Sequence, residues 1–209
     1  MTAHTILLSI DGALLVETDS PEREYAAYRV GDEYRPLTVP DDAVELEMKG
    51  PGDRGPYFYR PAVVDGLRAL ARSGADIVWN TRWLASPASL GELSRRLGLE
   101  GSVRVPSPAE LPVAPADVRI DLGPNVLWEH WKVQALVQRV RDLPAGDELV
   151  VVDSVLDFSS RRLPDGAARR AHRNDVRIGG VKTYDQIGLN GRAIEALSDW
   201  IAGGPMPRL

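Results

Sequence analysis

The sequence predicts an α/β domain in which helices flank a central, mostly parallel β-sheet. Two patterns predict this class: short, continuous apolar segments alternate along the chain with longer segments whose apolar residues recur at helical spacing. Continuous apolar runs are typical of parallel strands that are buried on both faces. A length of 209 residues with 44% hydrophobic and 26% charged residues suits one domain with a substantial core, so we assign residues 1–209 to a single domain.

The first strand is predicted at residues 6–10, where an apolar run is closed by Asp11-Gly12. The stretch that follows is less regular and is interrupted by prolines. Within it, residues 25–30 and 35–39 flank Gly31-Asp32-Glu33, and this arrangement predicts a small hairpin. We therefore expect a cap-like insertion, at roughly residues 15–60, after the first strand and over its carboxyl end.

Helix and strand alternate in the next segment. A helix is predicted from Pro61, which suits a first helical turn, to the stop at Ser73-Gly74. Residues 75–79 then form a second apolar run, which predicts a buried strand. Ser86-Pro87 opens another helix, whose leucines lie on one face until Gly98 ends it.

The second half of the chain continues the alternation. Residues 103–115 are rich in proline and are expected to cross an edge of the sheet, with a short strand at 103–105. A helix is predicted at residues 128–141, and a third apolar strand at 148–152 ends at Asp153. A short apolar piece through Ile178 and a last helix near 190–201 complete the chain.

Composition limits the function classes and the compartment. A formal charge of −5 argues against a protein that binds nucleic acid over its whole surface, because phosphate backbones select for excess lysine and arginine. The absence of cysteine excludes disulfides and thiolate chemistry. No apolar run approaches the roughly 20 residues that span a bilayer, and residues 1–4 lead directly into the first strand. We expect a cytoplasmic protein without a membrane partner.

Polar residues follow the predicted strands at the edge where ligands of parallel sheets bind. The segments that carry them are Ile6-Leu7-Leu8-Ser9-Ile10-Asp11-Gly12-Ala13-Leu14, Ile77-Val78-Trp79-Asn80-Thr81, Trp131-Lys132 and Val150-Val151-Val152-Asp153-Ser154-Val155-Leu156-Asp157. In type and order they resemble the four motifs of the haloacid dehalogenase (HAD) superfamily. The Trp79-Asn80-Thr81-Arg82-Trp83 and Trp131-Lys132 segments look like the HAD branch of RNA-repair assemblies in bacteria and phages. The resemblance implies a HAD-like Rossmannoid fold.

The resemblance also implies a role for each motif residue in Mg²⁺-dependent phosphoryl transfer. It assigns Asp11 to proton transfer and, through its carbonyl, to the metal. It assigns Thr81 and Lys132 to phosphate binding, Asp153 to Mg²⁺, and Asp157 to an outer carboxylate near the metal. Such a site is physically reasonable, because phosphoryl transfer depends on positioning and on neutralising the charge of phosphate oxygens.

Ser9 departs from the family pattern, which has a nucleophilic Asp at this position. The change removes an anionic Mg²⁺ ligand and replaces a carboxylate nucleophile with a hydroxyl, which is weak without a base. If Ser9 did attack phosphorus with Asp11 as its base, the product would be phosphoserine, which is about as inert as the substrate. We therefore expect a degenerate active site whose Mg²⁺ site is weakened and whose turnover is weak or lost.

Ordinary structural explanations stay open for several of these residues. Lys132 could be a solvated lysine, and Thr81 could cap the helix that follows Ser86. Arg82 could bind a second anionic group of the ligand or lie on the surface. The segment 159–177 carries a local excess of positive charge next to the fourth motif, which makes it a candidate contact for a polyanion or simply a solvated face. Its candidate arginines are Arg161, Arg162, Arg169, Arg170 and Arg173.

Three functional hypotheses follow. The first is a HAD-like protein that binds a phosphate-bearing small molecule or nucleic-acid end, with phosphatase turnover weak or lost. The second is an active Mg²⁺-dependent phosphatase, a HAD-type hydrolase acting on nucleotides or nucleic-acid ends, in which water or Ser9 replaces the usual attack. The third is a protein-interaction module that keeps the sheet as a scaffold. The retained polar groups favour ligand binding over a bare scaffold, because gathering them in one place is costly.

Overall fold

A computed structural model describes residues 2–17, 27–30, 33–36, 39–50, 57–112, 124–154, 175–183 and 188–207. In chain order the strands are β1 (His4–Leu8), β2 (Leu15–Glu17), β3 (Ala27–Val30), β4 (Glu33–Pro36), β5 (Val44–Leu46), β6 (Tyr57–Tyr59), β7 (Asp76–Trp79), β8 (Glu148–Asp153) and β9 (Arg177–Lys182). The helices are α1 (Pro61–Arg72), α2 (Pro87–Arg96), α3 (Pro124–Asp142) and α4 (Gly191–Ile201), with short 3-10 turns at Arg82–Ala85 and Pro108–Glu110.

The central sheet has the strand order β7-β1-β8-β9, and every neighbouring pair is parallel. This confirms the predicted α/β class with a parallel sheet and flanking helices. Leu8 is paired with Trp79 on one side and with Val152 on the other. Because these three residues are in register, the residues that follow them line up along one edge of the sheet.

The two faces of the sheet pack against different parts of the chain. Leu8 and Val152 belong to the larger core, together with Leu197 of α4. Leu7 and Val151 belong to a second core with Leu136 of α3. Since side chains alternate between the faces of a strand, the next polar positions after Leu7 and Val151 should point toward α3. Each fully buried leucine or valine side chain stabilises the fold by roughly 1.5–3 kcal/mol.

The insertion contains more strand than the sequence predicted. β3 and β4 pair antiparallel, which confirms the predicted hairpin. A second antiparallel sheet with the order β2-β6-β5 was not predicted. Each of its strands has only three residues, which is too short for a periodic pattern to show. Gly50 fits closely against Tyr57 of β6 and the ring of Trp83, where any side chain would clash.

Two predicted strands differ from those observed. The predicted strand at 103–105 is a single bridge between Arg104 and Val78. β9 extends beyond Ile178, although Gly179-Gly180 removes the apolar signal from its middle. A side chain at position 179 would meet Met206 and the carbonyl of Pro207, so glycine lets the C-terminal segment pass closely.

Among the described residues, no helix is both long and apolar enough to cross a membrane.

Candidate functional site

The candidate site lies at the carboxyl edge of the central sheet. Ser9 follows β1, Asn80 follows β7, and Asp153 is the last residue of β8. The backbone N–H of Ser9 donates to the carbonyl of Val152 at 2.9 Å, and the backbone N–H of Asn80 donates to the carbonyl of Leu8 at 2.9 Å. These ladder bonds fix the order Asn80, Ser9, Asp153 across the edge, on three neighbouring strands.

Lys132 of α3 joins two of these side chains. Its Nζ donates to Ser9 Oγ at 2.9 Å and to Asp153 Oδ2 at 2.8 Å. The Asp153 side chain is fully buried, and the Lys132 side chain is 8% exposed. Removing one partner of a buried ion pair typically costs about 3–5 kcal/mol, because the other charge is left uncompensated. The structure thus brings together three groups that are far apart in the sequence.

Asp11 forms a separate contact group beside this cluster. Its Oδ2 accepts from Arg82 Nε at 2.7 Å, and its Oδ1 accepts from Trp83 Nε1 at 2.9 Å. The backbone carbonyl of Asp11 accepts from Ser154 Oγ at 3.2 Å, which ties the β1 turn to the end of β8. Among the described residues, Lys132 bonds to Ser9 and Asp153 and not to the Asp11 carboxylate. The predicted site residues therefore divide into two adjacent groups.

Thr81 is fully buried and makes a local contact. Its Oγ1 accepts from the Trp83 amide at 3.3 Å, so it caps the 3-10 turn at Arg82–Ala85 rather than the helix that follows Ser86. This turn presents Arg82 and Trp83 to Asp11. The sequence did not predict the contact of the Trp83 indole with Asp11, although Trp83 belongs to the segment Trp79-Asn80-Thr81-Arg82-Trp83.

Two further polar side chains at this edge were not predicted as site residues. Asn80 and Thr183 are each 3% exposed. Among the described residues, Asn80 Nδ2 and Thr183 Oγ1 have no hydrogen-bond partner. The amide of Thr183 donates to the carbonyl of Asp153 at 3.1 Å, which places Thr183 beside the end of β8. A buried donor without a partner costs about 1–3 kcal/mol, so both groups are candidates to bind a ligand or water.

The described residues offer few ligands for a divalent cation. They contain no group of three histidine, cysteine or acidic residues that could hold a metal. Asp153 already pairs with Lys132, while Asp11 pairs with Arg82 and offers its carbonyl oxygen. Mg²⁺ uses one or two carboxylates and completes its octahedron with phosphate and water, so this donor set fits a weakly held ion. The predicted ligand Asp157 lies outside the described residues.

The five arginines that were predicted to contact a polyanion also lie outside the described residues. A cleft of ≈ 390 Å³ opens beside β7, but its lining does not include Ser9, Lys132 or Asp153.

A scan against protein-family models, a search of curated proteins and a search of solved structures each found no match to this chain. Function is therefore inferred from the contacts at the carboxyl edge of the sheet.

Proposed function

We propose that this chain is a HAD-like protein that binds a phosphate-bearing ligand at the carboxyl edge of its sheet, with phosphatase turnover weak or lost. The observation that carries the proposal is the contact of Lys132 Nζ with both Ser9 Oγ and Asp153 Oδ2. These residues come from three distant segments, and their order is that of the first, third and fourth motifs of the superfamily that the sequence resembles.

The chemistry of this cluster supports phosphate binding. A lysine ammonium has three N–H donors, and Lys132 uses two of them for Ser9 and Asp153. Phosphate oxygens could accept hydrogen bonds from three donors near the carboxyl end of β1. These are the third N–H of Lys132, the Ser9 hydroxyl and Asn80 Nδ2. Because the cluster is buried, each such hydrogen bond is electrostatically stronger than it would be in water.

The same contacts oppose turnover. Ser9 needs a base to become a nucleophile, but its oxygen accepts a hydrogen bond from Lys132. Lys132 is in an ion pair with Asp153, so it acts as a donor at this place and not as a base. Both carboxylate oxygens of Asp11 already accept from Arg82 and Trp83. Among the described residues, no carboxylate accepts a hydrogen bond from the Ser9 hydroxyl.

Mg²⁺ belongs to this proposal as a weakly held ion. Asp153 and the carbonyl of Asp11 would hold it, and the ligand's phosphate oxygens would complete its shell. When bound, it would neutralise charge on those oxygens. The role of the chain itself is to bind and orient the phosphate through Lys132 and Ser9.

The proposal is tested by assaying the parent protein and Ser9→Asp on a generic phosphomonoester, with and without Mg²⁺. The variant restores both a carboxylate nucleophile and an anionic ligand. We expect a Mg²⁺-dependent gain of about 100-fold or more, the scale of a single catalytic group. Ser198→Asp, at an exposed serine of α4, is the matched control and should show no gain.

Two results would contradict the proposal. If a folded Ser9→Asp protein shows no gain and neither protein binds inorganic phosphate, the sheet serves as a scaffold only. If the parent protein turns over rapidly and Asp11→Asn abolishes that turnover, the chain is an active phosphatase in which Asp11 acts as the base.

A further inference from the structure

We propose that Asp11 is an internal competitor for Arg82, so that a phosphate dianion binds by taking the Arg82 guanidinium away from the Asp11 carboxylate. This inference rests on the proposed function, because it assumes that the phosphate binds beside Ser9, Lys132 and Asp153. In addition, Arg82 is the cation that receives the ligand, and the Asp11 carboxylate is the group that the ligand displaces. The ligand class is a phosphate dianion, either inorganic phosphate or a phosphomonoester.

The described site is balanced in charge. Its two cations, Lys132 and Arg82, are each paired with a carboxylate, at 2.8 and 2.7 Å respectively. The site therefore has no surplus positive charge among the described residues before a ligand arrives. An entering dianion must either meet a neutral site or separate one of the two ion pairs.

The two ion pairs differ in what their separation would leave behind. Opening the pair of Lys132 with Asp153 would take the Lys132 charge away from a carboxylate that is 0% exposed and that water cannot reach. Asp11 is 21% exposed and would keep the hydrogen bond from Trp83 Nε1 at 2.9 Å. Water could replace Arg82 at the other oxygen of Asp11. The pair of Arg82 with Asp11 is therefore the one that a ligand can open at lower cost.

Geometry and access point to the same residue. The Arg82 side chain is 17% exposed, against 8% for Lys132, so it is the more accessible cation for an anion that arrives from solvent. A guanidinium binds carboxylate and phosphate oxygens with the same planar fork. The Asp11 carboxylate thus holds the group that a phosphate would otherwise use.

The experiment is a calorimetric titration of the full chain with inorganic phosphate. The proteins compared are the parent, Asp11→Asn, Arg82→Gln and the double variant. Asparagine keeps the size of Asp11 and an oxygen that accepts from Trp83, while its Nδ2 cannot accept from Arg82. The change therefore removes the competing charge together with the hydrogen bond that holds Arg82. We expect Asp11→Asn to bind phosphate about threefold to tenfold more tightly, the scale of one partly exposed charge. Arg82→Gln should weaken binding, and the double variant should show no gain over Arg82→Gln.

The double variant separates competition from a general charge effect. If Asp11→Asn strengthens binding equally when Arg82 is absent, or weakens binding in the parent, the inference is overturned. Phosphate binding by the parent would still leave the proposed function standing, whereas no binding by any protein would remove both. Asp199→Asn removes the same charge next to Trp200 at the opposite end of the sheet and should leave the affinity unchanged. If Arg82→Gln does not fold, Arg82→Lys replaces it, because lysine keeps the charge but loses the planar fork. In the Arg82→Lys protein, Asp11→Asn should raise the phosphate affinity by less than it does in the parent.

Discussion

Replacing Lys132 by methionine tests whether the cluster with Ser9 and Asp153 is a true buried ion pair. The change keeps most of the side-chain volume but removes the ammonium that lies 2.8 Å from Asp153 Oδ2. Asp153 is fully buried and would lose its ion pair with Lys132, and Ser9 Oγ would lose its donor. We expect a loss of about 3–5 kcal/mol in the free energy of unfolding, out of the roughly 5–15 kcal/mol typical of a domain.

Urea denaturation of the parent and the variant measures this loss directly, through a shift of the midpoint at unchanged slope. Arg72→Met, at an exposed cation of α1, is the control and should change stability by no more than about 0.5 kcal/mol. Adding Asp153→Leu to Lys132→Met should restore part of the loss, because no charge is then left buried. A loss below about 1 kcal/mol for Lys132→Met would show that Lys132 does not compensate a buried charge on Asp153.

Two further predictions concern stability away from the site. The guanidinium of Arg104 bonds to Glu110 and lowers the pKa of that carboxyl from 4.5 to about 2, so its contribution is present above pH 4.5 and is lost as pH falls toward 2. Urea midpoints measured across this range should show the stability deficit of Glu110→Gln shrinking with falling pH, and a constant deficit would contradict this. Gly179→Ala should cost about 1–3 kcal/mol through its clash with Met206, whereas Gly91→Ala, in open space within α2, should stabilise by about 0.5–1 kcal/mol. Equal effects of the two substitutions in thermal unfolding would refute this prediction.

The buried strands of the central sheet could be predicted because their sequences are continuous apolar runs. β8 is an example, since all six of its residues are buried. β9 could not be predicted in full, because Gly179 and Gly180 carry no side chain whose pattern could be read. The need for glycine at position 179 comes from Met206, a contact with a distant segment. β2, β5 and β6 were missed because three residues cannot show a period.

The candidate site could be predicted where strand ends determine position. Ser9 and Asp153 lie together because adjacent parallel strands share an edge, and this follows from the order of elements. The partners of Asp11 could not be predicted, because they depend on how the turn at Arg82–Ala85 orients the Trp83 indole. Thr183 was missed for the same reason as the strand that precedes it.

Binding of an oxyanion at the Ser9, Lys132 and Asp153 cluster can be observed in a crystal of the parent protein soaked in tungstate. Tungstate is a tetrahedral dianion like phosphate, and its anomalous scattering identifies it without ambiguity. We predict an anomalous peak for tungsten at this cluster, with tungstate oxygens about 3 Å from Lys132 Nζ and Ser9 Oγ. Peaks at other surfaces only, with the Lys132 contacts to Ser9 and Asp153 unchanged, would contradict it.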